Sequence, residues 1–168
     1  TSTRGCIACL KPGCIDCTVN YERYGTLNPG FIRPNLNKVA EPKKILIIGG
    51  GVAGMEAARI AAIKGHNVTL WEKEGVLGGT VATLATTPLT SEFQNIIDYQ
   101  IGQLSELNVN VRCCYEATLE RVKAFAPDVC ILATGADMLL PDSVKDGMMV
   151  MTHLDAMKRK REFRSMSQ

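Results

Sequence analysis

Cys6, Cys9, Cys14 and Cys17 crowd the stretch CIACLKPGCIDC with the spacing C-x2-C-x4-C-x2-C. Four thiols this close can do one of three things. They can pair as disulfides, ligate one zinc ion tetrahedrally, or cage an iron–sulfur cluster through four thiolates. Spacing alone leaves the three open. The chain carries 7 cysteines, and an odd number speaks against a secreted disulfide framework. The other three, Cys113, Cys114 and Cys130, sit in the apolar runs VNVRCCYE and DVCILATG. There they are expected to be small buried hydrophobes rather than ligands, because free cysteine is commonly buried.

A second constellation lies at GGGVAG, which sets Gly49, Gly51 and Gly54 in G-x-G-x-x-G register, with Val52 and Ala53 completing the turn. In a strand–turn–helix context each glycine has its own task. Gly49 permits the tight turn, Gly51 lets the backbone approach a pyrophosphate, and Gly54 lets the helix pack closely on the strand. The amides at the helix start then face the phosphates. Glu72 ends the next strand-like run, where a carboxylate accepts hydrogen bonds from an adenosine ribose and repels a 2′-phosphate. Lys73, beside it, works in the opposite sense. The plain alternative is a glycine-rich turn that keeps the fold without the ligand. No acid–base pair or nucleophile stands out. His66 closes a helix and His153 lies near the end of the chain, and both read as structural. The Met-rich DGMMVMTHLDAM reads as packing or interface surface.

The elements that must position these residues follow from periodicity. KKILII is a short, β-branched run and predicts a buried strand over 44–49. VAGMEAARIAAIKGH is rich in helix formers and is closed by Gly65. NVTLWE predicts a second strand over 67–72. SEFQNIIDYQIGQLSELN has Phe93, Ile96, Ile97, Ile101 and Leu104 at helical spacing, with Ser91 as its cap. VNVRCC and DVCILATG predict two more strands. Alternation of strand and helix predicts an α/β, Rossmann-like parallel sheet covered by helices. Three regions result: a cysteine cluster and extended linker over 1–42, a dinucleotide-binding domain over 43–157, and a basic tail over 158–168. The tail, KRKREFRSMSQ, reads as a solvated end or as a docking segment for an acidic partner.

Composition narrows the classes. Hydrophobic residues make up 46% and charged residues 21%, ordinary values for a globular protein. A net charge of +2 does not imply a nucleic-acid partner. No apolar run approaches the roughly 18 residues that suggest a membrane span. The chain shows neither an initiator Met nor a secretory signal pattern. The expected location is intracellular: cytoplasmic, or the mitochondrial matrix if the N-terminus is a processed one.

Two further stretches extend the nucleotide pattern. EKEGVLGGT brings the pair Gly78 and Gly79 directly after the second strand, and ILATGA closes a later strand at Ala133, Thr134 and Gly135. Together, KKILIIGGGVAGMEAARIAAIKGHNVTLWEKEGVLGG and ILATGA resemble the FAD-binding portion of the 2,4-dienoyl-CoA reductase, enoate reductase and trimethylamine dehydrogenase family. In that family the domain follows an FMN-containing barrel and a cysteine motif. CIAC, GC and CTVN are similar to that motif, so the resemblance covers residues 6 to about 157 in the family's order. It implies FAD, or its ADP portion, as cofactor. It also implies a [4Fe–4S] cluster on Cys6, Cys9, Cys14 and Cys17. The segment departs from the family's spacing, with four residues instead of three after the second cysteine and only two, in place of a longer loop, before the fourth, and zinc is the alternative metal.

The FMN barrel, the NAD(P)H domain and the return segment that completes the FAD pocket are expected outside these 168 residues. Two readings of function follow. In the first, the chain is an electron-transfer subunit or fragment of a split flavin/iron–sulfur oxidoreductase, inactive alone. Its partners would be chains supplying the barrel, the NAD(P)H domain or both. In the second, it is a non-catalytic accessory subunit of a larger assembly that retains the nucleotide fold. A zinc module for nucleic acid is disfavoured, because basic and aromatic residues do not interleave near the cysteines.

Overall fold

A computed structural model describes residues 36–136, 152 and 154–157. The cysteine cluster Cys6, Cys9, Cys14 and Cys17, the Met-rich stretch up to residue 151, His153 and the basic tail lie outside the described residues.

Four strands form one all-parallel sheet: β1 (Lys44–Ile48), β2 (Asn67–Trp71), β3 (Asn110–Arg112) and β4 (Val129–Leu132). Their spatial order is β3-β2-β1-β4. The helices are α1 (Val52–Ile63), α2 (Gly79–Leu84), α3 (Gln94–Glu106) and α4 (Leu119–Phe125), with a 3₁₀ segment over Pro88–Phe93. The α/β, Rossmann-like architecture expected from the strand–helix alternation is therefore present.

Strand pairing sets which side chains share a face. Ile45 is level with Val68, and Ile47 with Leu70. These four point to one side and form the core with Met55, Ala58 and Ala61 of α1 and with Ile97 and Leu104 of α3. Ile47, Leu70, Met55 and Ala58 are fully buried. Burying a side chain the size of Ile or Leu contributes about 1.5–3 kcal/mol. The opposite face carries Leu46, Thr69 and Trp71. There Trp71 packs edge-on to Tyr115 at 4.9 Å and to Phe125 of α4 at 5.3 Å between ring centroids.

The elements end for local reasons. α1 stops at Gly65, whose φ of 89° suits glycine, and the amides of Gly65 and His66 return to Ala62 and Ala61 oxygens at 2.9 and 3.1 Å. Asn108, at φ 55°, ends α3 in the same left-handed manner. Thr118 caps α4, its hydroxyl accepting from the Arg121 amide at 3.3 Å. His66 Nδ1 accepts from the Lys43 amide at 3.1 Å, a structural contact that ties the start of β1 to the end of α1.

Several expectations need correction. Ser91 does not cap α3: Pro88 starts a 3₁₀ turn that takes in Ser91, and the α-helix begins at Gln94 after Phe93. Ile101 is 42% exposed, while Ile97 and Leu104 are buried. β3 ends at Arg112, so Cys113 and Cys114 lie beyond it rather than inside a buried strand. Cys113 is half-buried, and Cys114 and Cys130 are exposed. The reason is topological. Among the described strands, β3 is short and outermost beside β2, and β4 is the opposite edge. Among the described residues, no helix is long and apolar enough to cross a membrane.

Candidate functional site

The sheet order reverses between β1 and β4, since successive strands first run outward through β2 and β3 and then return to β4 on the other side. In open parallel sheets that crevice, at the carboxyl ends of the strands, is where ligands bind. Gly49, Gly50 and Gly51 leave β1 there. Glu72, Lys73 and Glu74 leave β2, and Ala133, Thr134 and Gly135 leave β4.

The glycines differ in what they make possible. Gly49 turns at φ 110°, its amide bonds the Trp71 oxygen at 2.8 Å, and an added Cβ would lie 2.3 Å from the Ala133 oxygen. An added Cβ at Gly54 would lie 1.9 Å from the Gly49 oxygen, so α1 packs directly on the turn. Gly78, also at φ 110°, would drive a Cβ to 2.8 Å from Ile97 Cδ1. Its amide donates to the Gly50 oxygen at 2.8 Å, and Gly51 and Gly78 form an isolated parallel bridge. Gly79, at φ 54°, brings its own Cβ position within 3.2 Å of the Gly51 Cα. Gly51 is the exception: no atom lies within 4 Å of the place a Cβ would occupy. Close-packed glycines thus frame an open space at the first residue of the α1 turn. Val52, half-buried, and Ala53, exposed, carry the backbone into the helix.

Glu72 is 8% exposed, and both of its carboxylate oxygens accept from backbone. Oε2 accepts from the Gly50 amide at 2.5 Å, and Oε1 from the Glu74 amide at 2.8 Å. The carboxylate therefore ties the glycine turn to the chain leaving β2. The Glu72 amide donates to the Arg112 oxygen at 2.9 Å, and its oxygen accepts from the Tyr115 amide at 2.8 Å. Lys73 is exposed beside it. Gly135, at φ 82°, has open space around its Cβ position, and Thr134 is exposed.

The open space beside Gly51 suits a phosphate group: α1 presents its amino end there, and glycine backbone borders it. The structure brings Gly49, Gly51, Val52, Ala53, Gly54, Glu72, Gly78, Gly79 and Ala133 to one end of the sheet, with Lys73, Thr134 and Gly135 on its exposed rim. Two contributors were not singled out in the sequence. Gly50 is buried, its amide holds Glu72, and its Cβ would lie 2.5 Å from Leu77 Cδ2. The third glycine of GGG was its signal. The Glu74 amide had none, because a backbone donor carries no residue identity.

Behind α1 lies a buried polar group. Arg59, 1% exposed, donates to Glu56 through Nε at 3.0 Å and Nη2 at 2.9 Å. Gln100 of α3 donates from Nε2 to the Val52 oxygen at 3.3 Å and to Glu56 Oε2 at 3.2 Å. Its Oε1 is buried without a partner. Cys113 lies near enough to Glu72 to feel its charge. Burial chiefly, then the Glu72 charge and the Cys114 thiol, raise its pKa above that of an ordinary thiol. Burial does the same for Cys130.

Comparison with known proteins agrees with this geometry. The family described as FAD dependent oxidoreductase matches residues 44–163. The chain is similar to the bilirubin reductase of Mediterraneibacter gnavus, 38% identical over an alignment of 151 residues that covers 82% of this chain and 22% of that protein. It is similar to the cinnamate reductase of Clostridium sporogenes, 39% identical over 137 residues, covering 79% and 20% of the two chains. Among solved structures, a 2-naphthoyl-CoA reductase superimposes with a TM-score of 0.72 at 33% identity over 84% of this chain and 21% of its own. Histamine dehydrogenase from Rhizobium sp. 4-9 gives 0.72 at 27% identity, over 94% and 25%. This chain thus spans about a fifth to a quarter of the length of these relatives. The chain belongs to the FAD-dependent oxidoreductase family, among the enoate-reductase and amine-dehydrogenase relatives that its sequence resembles.

Proposed function

We propose that this chain binds the ADP half of FAD at the glycine turn and serves as the electron-transfer portion of a larger flavin/iron–sulfur oxidoreductase. The observation that carries the reading is the open space at Gly51, framed by glycines at Gly49, Gly54, Gly78 and Gly79. Gly51 and the first turn of α1 would hold the pyrophosphate, and Glu72 would accept from the adenosine ribose. When bound, FAD supplies two-electron chemistry that can be divided into single-electron steps. The residues of the chain bind and orient. Gly49 and Gly54 keep the turn tight, Glu72 keeps the Gly50 amide in place, and Gly78 closes the loop over the turn.

Cys6, Cys9, Cys14 and Cys17 would hold a [4Fe–4S] cluster, as the family resemblance implies, or one zinc ion. Substrate reduction and nicotinamide oxidation would fall to a barrel and a nucleotide domain supplied by other chains or by further segments. The relatives' lengths support this division. A visible absorption spectrum of natively isolated protein, with iron, zinc and acid-labile sulfide analysis, tests the reading. Flavin bands with iron and sulfide in equal amounts support it.

A second reading has its own observation: both Glu72 oxygens are already satisfied by backbone. On this reading the nucleotide fold persists as the scaffold of an accessory subunit. A colourless protein that also fails to bind added ADP would favour it.

A further inference from the structure

Cys113 and Cys114 follow β3 directly and lie beside Glu72, at the adenosine end of the candidate site. They are neighbours past the end of the strand, so the alternation of side chains across a sheet no longer forces them to opposite faces. Cys114 has a left-handed backbone at φ 54°, unusual for a residue with a side chain. Its amide is held by the Glu74 oxygen at 2.9 Å, and an added Cβ at Gly75 would lie 3.6 Å from its sulfur. The exposed thiol thus rests over the loop that leaves Glu72. Cys113 is half-buried, and burial, the Glu72 carboxylate and the Cys114 thiol all favour its protonated form. Two adjacent thiols, one exposed and one half-buried, therefore stand next to the carboxylate that organises the glycine turn.

Geometry selects the ligand class. Adjacent Cα atoms are about 3.8 Å apart across a trans peptide, and no peptide among the described residues is cis. A relaxed disulfide needs about 4.4–6.8 Å between its Cα atoms. A direct sulfur–sulfur bond would close a strained ring, whereas one large atom inserted between the sulfurs widens it.

We propose that Cys113 and Cys114 form a chelating site for a trivalent arsenic centre that carries exchangeable oxygen ligands, and that filling it opposes nucleotide binding at the neighbouring glycine turn. Two S–As bonds form and two As–O bonds break. Each thiol proton leaves with a hydroxyl as water, and neither arsenic nor sulfur changes oxidation state. Coupling runs through the backbone. The Arg112 oxygen, the Cys114 amide and the Tyr115 amide bond the main chain of Glu72 and Glu74, and the Glu74 amide holds the Glu72 carboxylate. Drawing the two sulfurs together displaces the donors that aim Glu72. The site itself stands on the thiols alone, while its effect on nucleotide rests on the proposed ADP site.

The test uses the full chain and phenylarsonous acid as probe. After treatment the protein is alkylated with iodoacetamide, digested with trypsin and mapped by mass spectrometry. Cleavage after Arg112 and Arg121 releases peptide 113–121, which contains Cys113 and Cys114 and no other cysteine. One phenylarsenic bridge and no alkylation on this peptide is the expected result. Recovery of the peptide doubly alkylated would overturn the site. Cys113→Ser and Cys114→Ser should each lose the bridge and show one alkylated thiol.

Calorimetric titration with ADP then compares treated and untreated protein. Affinity should fall about 5- to 150-fold, the usual range of coupling between two sites. It should be unchanged by treatment in the double serine variant, where only the remaining cysteines react. Equal ADP affinity before and after bridging would overturn the coupling. Untreated protein that binds no ADP would count against the nucleotide reading and its coupling, while a mapped bridge would still establish the thiol site.

Discussion

Gly54→Ala and Gly51→Ala are chemically the same substitution in the same turn, yet they should fail in different ways. At Gly54 the new methyl would stand 1.9 Å from the Gly49 oxygen and 3.3 Å from the Ala133 Cβ. An ordinary carbon–oxygen contact is at least about 3.3 Å, so α1 must lift by roughly 1.4 Å. Because the obstacle is main chain and cannot rotate away, the overpacking cost should reach the upper end of the usual range, about 3 kcal/mol. Alanine returns about 1 kcal/mol through its better helix propensity. The net loss of about 2 kcal/mol corresponds to a fall in Tm of roughly 4–16 °C, the span of the size classes that bracket this domain. At Gly51, φ is −70° and ψ is 175°, and nothing lies within 4 Å of the new methyl. Its slight disadvantage as a helix cap is offset by about 0.4–1 kcal/mol from the stiffer unfolded chain. The fold should be unaffected. ADP should bind more weakly by about 1.5–3 kcal/mol, the worth of one charge-assisted amide–phosphate bond, which is tenfold or more in Kd. Thermal melts followed by circular dichroism and ADP calorimetry on both variants separate the two effects. A Gly54→Ala protein that melts with the wild type would refute the packing reasoning, and unchanged ADP affinity in Gly51→Ala would refute the pyrophosphate placement.

Three further outcomes are expected. Glu72→Gln replaces one of two acceptors with an amide group that faces a backbone donor, so it should cost about 1–3 kcal/mol, read as a lower urea midpoint at constant m-value. Arg59→Met removes a buried guanidinium from Glu56, but Glu56 keeps Gln100 and its side chain is 31% exposed. The loss should therefore be about 1–3 kcal/mol rather than the larger cost of stranding a fully buried charge, and chemical denaturation measures it. The raised Cys113 thiol means that the folded state holds its proton longer than the unfolded state. Its contribution is complete below the unfolded thiol's pKa and is lost as pH rises through the higher folded value. Cys113→Ser should accordingly flatten the alkaline decline in stability, and a slope identical to that of the wild type would refute the assignment.

Long apolar runs and glycine punctuation made β1, α1, β2 and the body of α3 legible, because their burial is dictated by periodicity that a single sequence displays. α2 and α4 were not expected. α2 has 6 residues and α4 has 7, too few to show a helical stripe, and Leu119 at the start of α4 is 65% exposed. Their cues were local: Gly78 in a left-handed turn and Thr118 as cap. The cysteines mislead in the other direction. General preference places a free thiol inside, but Cys114 and Cys130 are exposed and Cys113 only half-buried, because of where β3 ends and β4 pairs, which periodicity does not reveal. At the site, the glycine register was readable because it encodes backbone geometry. The clasp of Glu72 between the Gly50 and Glu74 amides was not, since it exists only once β1 and β2 are paired.

Trp71 is the only tryptophan in the chain, and it is the residue immediately before Glu72. Its ring is 2% exposed and lies edge-on to Tyr115, whose amide is bonded to the Glu72 oxygen. The protein therefore carries a single indole, beside 4 tyrosines, at the end of β2 and shielded from water. Indole emission overlaps the near-ultraviolet absorption of oxidised flavin. ADP and FAD should thus leave different optical signatures on the same emitter. ADP can only perturb the ring's surroundings, whereas FAD adds an acceptor for its excited-state energy. Lifetime measurements on unlabelled wild-type protein would then report how near the isoalloxazine comes to β2, even where the rest of the flavin pocket is built by another part of the assembly.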